Sequence, residues 1–120
     1  MPPNVTNPPS ITVLGSKEVQ SILGSEVRSA ADEDMGRIGD VLVDGEGRTR
    51  AAIIDFGGFL GVGSRKIAVD WTVLHFVPAA SKRYRIVLEL TRDQVKAAPE
   101  YVEGKPTIVL GASGNLSPLP

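Results

Sequence analysis

The sequence predicts a mainly β protein: a small, partly open antiparallel β-barrel with one short C-terminal helix. Three observations lead to this prediction. Apolar and polar residues alternate with a period of two in several short segments. Turns rich in glycine and aspartate separate those segments. The length of 120 residues suits a single domain that can bury a core without disulfides.

The predicted strands follow one another from residue 26. Residues 26–28 form a short first strand and residues 36–44 a second, in which Gly39 indicates a bulge or sharp bend. Residues 44–47 have turn chemistry and join the second strand to the third as a hairpin. Another short strand is expected at residues 74–77. The other three strands each present one apolar face, formed by Ala52, Ile54 and Phe56, by Ile67, Val69 and Trp71, and by Ile86, Leu88 and Leu90.

Residues 91–98 predict the helix. Thr91 is a suitable N-cap, Asp93 lies in the first turn, and Pro99 ends the segment. Proline and small polar residues dominate residues 1–14 and 107–120. We therefore expect both ends to be flexible tails around a domain of residues 15–106.

Composition excludes several classes of function. The 13 Lys and Arg against 14 Asp and Glu exert no general attraction on nucleic acid or anionic membranes. With no cysteine, thiol catalysis and cysteine-based zinc sites are excluded. No apolar run approaches the roughly 20 residues that span a bilayer. The first residues lack a signal-peptide pattern, which predicts a cytoplasmic protein, or a periplasmic one if a signal has been removed.

The stretch DFGGFLGVGSRKIAVDW at residues 55–71 contains a glycine-rich loop that could belong to a nucleotide site. Gly58 and Gly63 have the spacing of the phosphate-binding loop. However, Ser64 and Arg65 stand where Lys and Ser or Thr are required, and a strand pattern follows instead of a helix. The pattern therefore favours a connection between strands over a phosphate site.

The tip of this loop is the candidate binding surface. Phe59 and Leu60 are large apolar residues in a place that is normally polar, with Val62 close by. They either cover the open end of the barrel or contact another chain. The glycines are expected to be structural: Gly36, Gly39, Gly57, Gly58, Gly61 and Gly63.

The residue types and their spacing do not support catalysis or metal binding. His75 is the only histidine, and we expect a partly covered barrel residue, not a general base. The acidic residues 32–34 would need a further carboxylate at the twelfth loop position to bind calcium, and Val43 occupies it. We expect no catalytic residue, no metal and no cofactor. RNA binding is disfavoured because acidic residues interrupt the basic set of Arg48, Arg50, Arg65, Lys66, Lys82, Arg83 and Arg85.

Several stretches of the sequence resemble the PRC-barrel family. They are GRIGDVLVD at residues 36–44, Gly47-Arg48, AIIDFGGFLGVG at 52–63 and KIAV at 66–69. Residues 90–101, LTRDQVKAAPEY, resemble the helix that often follows the barrel in free-standing bacterial members. The resemblance covers roughly residues 18–101. Two features depart from the better-known members: Asp70 precedes Trp71 where the family often has proline, and the glycine loop is typical of stand-alone members.

The resemblance implies a non-enzymatic adaptor or docking module that binds a protein partner. The family includes the barrel of the photosynthetic reaction-centre H subunit and the C-terminal domain of a ribosome maturation factor. Phe59, Leu60 and Val62 are the expected contact residues, and an open sheet edge predicts self-association. The alternatives are a small-ligand binder at the barrel mouth, an RNA- or ribosome-associated factor, and a factor associated with a photosynthetic complex.

Overall fold

The computed structural model describes residues 8–16, 18–57, 65–79 and 83–111, and the backbone of residues 116–118. The elements are β1 (Glu26–Ser29), β2 (Asp34–Val43), β3 (Thr49–Asp55), β4 (Lys66–Asp70), a 3-10 turn (Trp71–Val73), β5 (Leu74–Pro78), β6 (Tyr84–Leu88), α1 (Arg92–Lys96), β7 (Ile108–Leu110) and β8 (Leu116–Pro118).

The eight strands form one sheet in the order β5-β6-β1-β2-β3-β4-β7-β8, and β5 and β8 are its two ends. This confirms the prediction of a mainly β, partly open fold. Five of the neighbouring pairs are antiparallel, but β1 with β6 and β4 with β7 are parallel. The sheet is therefore mixed. Residue alternation indicates which face of a strand is buried, but it does not indicate the direction of the neighbouring strand, so the sequence did not predict the parallel pairs.

The main core lies on the face that the alternation predicted. Ala52 and Ile54 of β3 are completely buried, and so is Phe56, which directly follows the strand. They belong to one cluster that draws residues from β1 to β7, including Val27, Met35, Ile38, Ile67, Val69, Ile86, Leu88 and Leu110. The inward positions of the sheet are therefore filled by the chain's own side chains.

A second, smaller core covers the opposite face of β3 and β4. Ala51, Ile53, Ala68 and Val109 are buried together there, and Tyr101 packs against them. The alternation predicted one apolar face for each of these strands, and these positions lie on the other face. They are buried because the segment from Tyr101 to β7 crosses this side of the sheet, which turns two half-buried strands into strands buried on both faces.

The prediction that residues 107–120 form a tail outside the domain is wrong for β7. Val69 of β4 pairs with Leu110, and β7 in turn pairs with β8. Val109 and Leu110 are each 1% exposed. Val109 and Leu110 bury enough surface to hold this segment, whereas the surrounding prolines and glycines dominated the composition. At the other end, residues 8–14 form neither helix nor strand and are exposed.

Helix α1 begins where the sequence predicted. The Thr91 hydroxyl accepts a hydrogen bond from the Gln94 amide at 3.1 Å, and the Gln94 side chain accepts one from the Thr91 amide at 2.8 Å. This reciprocal capping box satisfies two donors at the helix start. Val95 is the buried residue of the helix and fixes it against the core.

Two glycines of β2 lie where its backbone departs from a regular strand. The register with β3 shifts between Ile38 and Asp40, so Gly39 lies at an irregularity of the ladder, as predicted. Gly36 has a φ of +95°, and a Cβ there would collide with the backbone oxygen of Asp55. Only glycine allows β2 and the end of β3 to approach so closely.

Candidate interaction surface

The glycine-rich loop leaves the sheet from a closed base. The Phe56 amide donates to the Arg65 backbone oxygen at 2.8 Å. The Asp55 carboxylate accepts a hydrogen bond from the Gly57 amide at 3.0 Å, and Gly57 has a φ of +57°. These contacts reverse the chain at the end of β3. The predicted contact residues Phe59, Leu60 and Val62, together with Gly58, Gly61 and Gly63, lie outside the described residues.

Arg65, the first of the basic pair after the loop, is directed to helix α1. Its guanidinium donates to the backbone oxygens of Lys96 at 3.0 Å and Ala98 at 2.6 Å. Both acceptors are carbonyls at the C-terminal end of the helix, where backbone acceptors lack intrahelical partners. Arg65 therefore caps α1 and connects the loop base to it.

Strand β5 forms an apolar edge of the sheet. Phe76 is 36% exposed and Val77 43% exposed. The Trp71 and Phe76 rings have centroids 5.6 Å apart and are tilted by 41°. Phe76 and Val77 are not among the contact residues that the sequence predicted, although LHFVP at residues 74–78 places apolar residues on both sides of one short strand. That lack of alternation is the signal that could have found them.

Some backbone N–H and C=O groups of β5 point away from its neighbour β6. The Glu89 amide donates to the Val73 oxygen at 2.9 Å, and the next pair along is Leu74 with Leu88. Because hydrogen-bonded and non-bonded pairs alternate in an antiparallel ladder, the main-chain groups of Phe76 face away from β6. β5 has β6 as its single strand neighbour in the part of the chain that the structure describes.

His75 lies on the surface of β5. Its side chain is 52% exposed, and its Nε2 atom is 3.3 Å from Glu89 Oε2. The histidine that the sequence predicted to be partly covered is thus about half exposed, on a strand at one end of the described sheet. A solvated histidine–carboxylate pair of this kind contributes little to stability.

The acidic turn before β2 is held by arginines and by its own backbone. Arg85 donates to Asp32 at 2.7 Å, and Arg92 lies 3.6 Å from Glu33. The Asp34 carboxylate accepts from the Gly36 amide at 2.9 Å. Across the described ranges, no group of three or more acidic or histidine side chains is arranged to hold a metal ion.

Asp44 organises the hairpin between β2 and β3. Its Oδ1 atom accepts from the amides of Glu46 at 2.9 Å and Arg48 at 3.0 Å. Its Oδ2 atom pairs with the guanidinium of Arg48 at 3.1 Å and with that of Arg50 at 3.4 Å. The backbone hydrogen bond from Arg48 is the largest cause that lowers the pKa of Asp44 below its ordinary value, and the hydrogen bonds from the Glu46 amide and from the side chains of Arg48 and Arg50 lower it further. The carboxylate is therefore part of the turn that the sequence predicted here.

The sequence profile of the PRC-barrel domain matches residues 15–92, which is well over half of the chain. A search of curated proteins gave no match. Within the described residues, the structure contains no helix long and apolar enough to cross a membrane.

Proposed function

The chain belongs to the PRC-barrel family, and on that premise we propose that it is a non-enzymatic adaptor that docks on a partner protein. The observation that carries the proposal is the β5 edge. It combines exposed apolar side chains, Phe76 and Val77, with backbone groups that face away from β6. An edge of this kind can accept a further strand, with the main chain supplying affinity and the side chains supplying specificity.

The alternatives find less support in the geometry. A ligand at the barrel mouth would need an apolar cavity, and the inward positions hold Ile54, Phe56 and Ile67 packed in the core. RNA binding would need several free cations beside exposed aromatic side chains. Three arginines of the basic set are engaged within the protein instead: Arg65 with the end of α1, Arg48 with Asp44 and Arg85 with Asp32.

The glycine loop is the second part of the proposed contact surface. Phe59, Leu60 and Val62 stay as predicted contact residues on the strength of the sequence. The closed base at Phe56 and Arg65 supports this role, because contacts among the described residues fix the start and the end of the loop.

The edge also makes self-association a specific form of the proposal. Two copies that pair through β5 would join two sheets, and the net charge of −1 opposes this only weakly. Light scattering over a concentration series measures it. A mass that rises toward the dimer supports pairing, and a constant monomer mass at high concentration contradicts it.

Site-specific photo-cross-linking tests the proposed function. A benzophenone amino acid is placed at Val77 on β5 and, as the matched control, at Val43, which is 60% exposed at the far end of β2. After irradiation in native extract, we expect a discrete adduct from position 77 that Phe76→Asp abolishes. Mass spectrometry identifies the partner or a second copy. Identical adducts from both positions, or none from position 77, would contradict docking at this edge.

A further inference from the structure

An open, arginine-lined groove lies beside the start of β6. Its volume is about 740 Å³, and four guanidinium groups line it, those of Arg28, Arg37, Arg83 and Arg85. None of these positions belongs to the glycine loop or to the hairpin at Asp44. The groove is therefore a surface that the proposed docking edge does not account for.

The groove exists because β1 begins later than the strand beside it. Val27 of β1 pairs with Ile86, which leaves Tyr84, the first residue of β6, without a strand on that side. Gln20 compensates there: its side chain accepts from the Tyr84 amide at 2.8 Å and donates to the Tyr84 oxygen at 3.5 Å. Since the backbone is satisfied there, recognition in the groove depends on the side chains of its walls.

The groove is positively charged on a chain that is slightly acidic. Its four arginines face two carboxylates, those of Glu26 and Asp32. Arg28 is bonded to Glu26 at 2.8 Å, and Arg85 to Asp32 at 2.7 Å. The two remaining charges are positive, whereas the net charge of the whole chain is −1. This local excess favours an anionic occupant.

Two of the arginines have donors left for a ligand. Arg37 gives one hydrogen bond, to the Gly24 backbone oxygen at 3.1 Å. Arg83 is exposed and makes no hydrogen bond or ion pair to another described residue. A guanidinium presents five donors in a planar fork that matches a carboxylate. The two side chains can therefore each receive a carboxylate without breaking an existing ion pair.

The groove is continuous with the β5 edge. Tyr84 lines the groove and is 37% exposed, and it is the cross-strand partner of Pro78 on β5. Phe76 lies two residues before Pro78 on the same strand. A charged surface and an apolar one thus meet at Tyr84.

We propose that the groove binds the acidic stretch of an extended partner peptide whose apolar residues cover Tyr84 and the β5 edge. The proposal rests on the docking function and specifies the chemistry of the partner. An acidic peptide suits this surface better than a nucleic-acid backbone, because the groove continues through Tyr84 into the apolar β5 edge, which apolar residues of a peptide can cover.

Fluorescence anisotropy with labelled octaglutamate tests the groove. We expect binding that weakens as salt rises and that falls about tenfold in the Arg37→Ala, Arg83→Ala double variant. The matched control is Lys96→Ala, Lys105→Ala, which also removes two positive charges and should bind within about twofold of the parent. Arg83→Glu alone serves if the double variant melts early, because Arg83 has no described partner to lose.

Three results would overturn the proposal: no binding of octaglutamate at low salt, equal losses in the two double variants, or tighter binding of octauridylate RNA. The outcome is separable from that of the docking function. An adduct from position 77 with no effect of the arginine variants rejects the acidic peptide and keeps the docking edge. Binding of octaglutamate without any adduct from position 77 rejects the edge and keeps the groove.

Discussion

The guanidinium of Arg65 donates a 2.6 Å hydrogen bond to the backbone oxygen of Ala98. This contact joins the base of the glycine loop to the end of α1, two elements more than 30 positions apart in the sequence. Together with the bond to Lys96, it satisfies carbonyl groups that the short helix leaves open. The basic residue after the glycines therefore has a structural role.

Replacing Arg65 tests that role. We expect Arg65→Ala to lower the free energy of unfolding by about 1 to 3 kcal/mol, because charged hydrogen bonds to two carbonyls are lost. Arg65→Lys should recover only part of the loss, since an ammonium cannot reproduce the fork. Urea unfolding measures both. Lys66→Ala, which alters the neighbouring exposed cation, should change little, and an equal effect of Lys66→Ala and Arg65→Ala would contradict the assignment.

Gly36 provides a second test, of backbone geometry. Gly36→Ala combines a positive φ with a collision against Asp55, and we expect a loss of more than about 2 kcal/mol. Gly47→Ala is the matched control, because Gly47 has a φ of +79° and open space around it. Its loss should stay near the 1 to 2 kcal/mol of left-handed strain alone. Equal melting temperatures for the two variants would show that β2 can move away from β3.

The third prediction concerns pH and Asp44. Its folded-state pKa lies below the ordinary value of 3.8, so its contribution is present above that value and is lost as pH falls through the folded pKa. Asp44→Asn should lower stability at neutral pH and flatten the acid limb of a stability–pH curve. Glu46→Gln changes a carboxylate whose side chain is 76% exposed and should leave the curve nearly intact. An unchanged acid limb in Asp44→Asn would contradict the prediction.

Local sequence signals predicted most of the elements. The period of two located β3, β4 and β6 because one face of each strand meets the core. Thr91 indicated the start of α1 because an N-cap is a short-range interaction between a side chain and the first turn of the helix. Gly39 indicated the irregularity in β2 for the same reason: the residue type and the local geometry are linked directly.

Long-range features could not be predicted in this way. The parallel pairing of β1 with β6 depends on how the chain returns, which alternation does not encode. β7 has three residues, too few to show a period, and its burial depends on the surface that β4 offers. The exposure of Phe76 follows from the position of β5 at the end of the sheet, which is a property of the assembled fold.

The corrected C-terminal boundary gives the fourth prediction. Leu110→Ala should cost about 2 to 5 kcal/mol, because Leu110 is buried in the main core. Ile11→Ala is the matched control, since Ile11 is 90% exposed and its truncation should be nearly neutral. Thermal melts compare the two variants. If both melt like the parent, residues 107–120 are a tail after all.

The last prediction concerns Phe59 and Leu60. We expect a Phe59→Ser, Leu60→Ser variant to keep nearly the parent melting temperature and to lose the partner or the oligomer. The physical reason is that contacts among the described residues fix the start and the end of the loop: Phe56 is completely buried, and Arg65 is bound to α1. Clustered apolar side chains at a loop tip are typical of contact surfaces.

A role of Phe59 and Leu60 in covering the barrel would give a different result. If the two side chains cover the open end of the barrel, the same change exposes core surface, and stability should fall by about 2 to 5 kcal/mol with association unchanged. Val13→Ser, Leu14→Ser is the matched control, because both residues are exposed apolar side chains before the first strand. Melting curves and light scattering on the same samples then separate a loop that binds from a loop that covers the barrel, since each role predicts a change in only one of the two measurements.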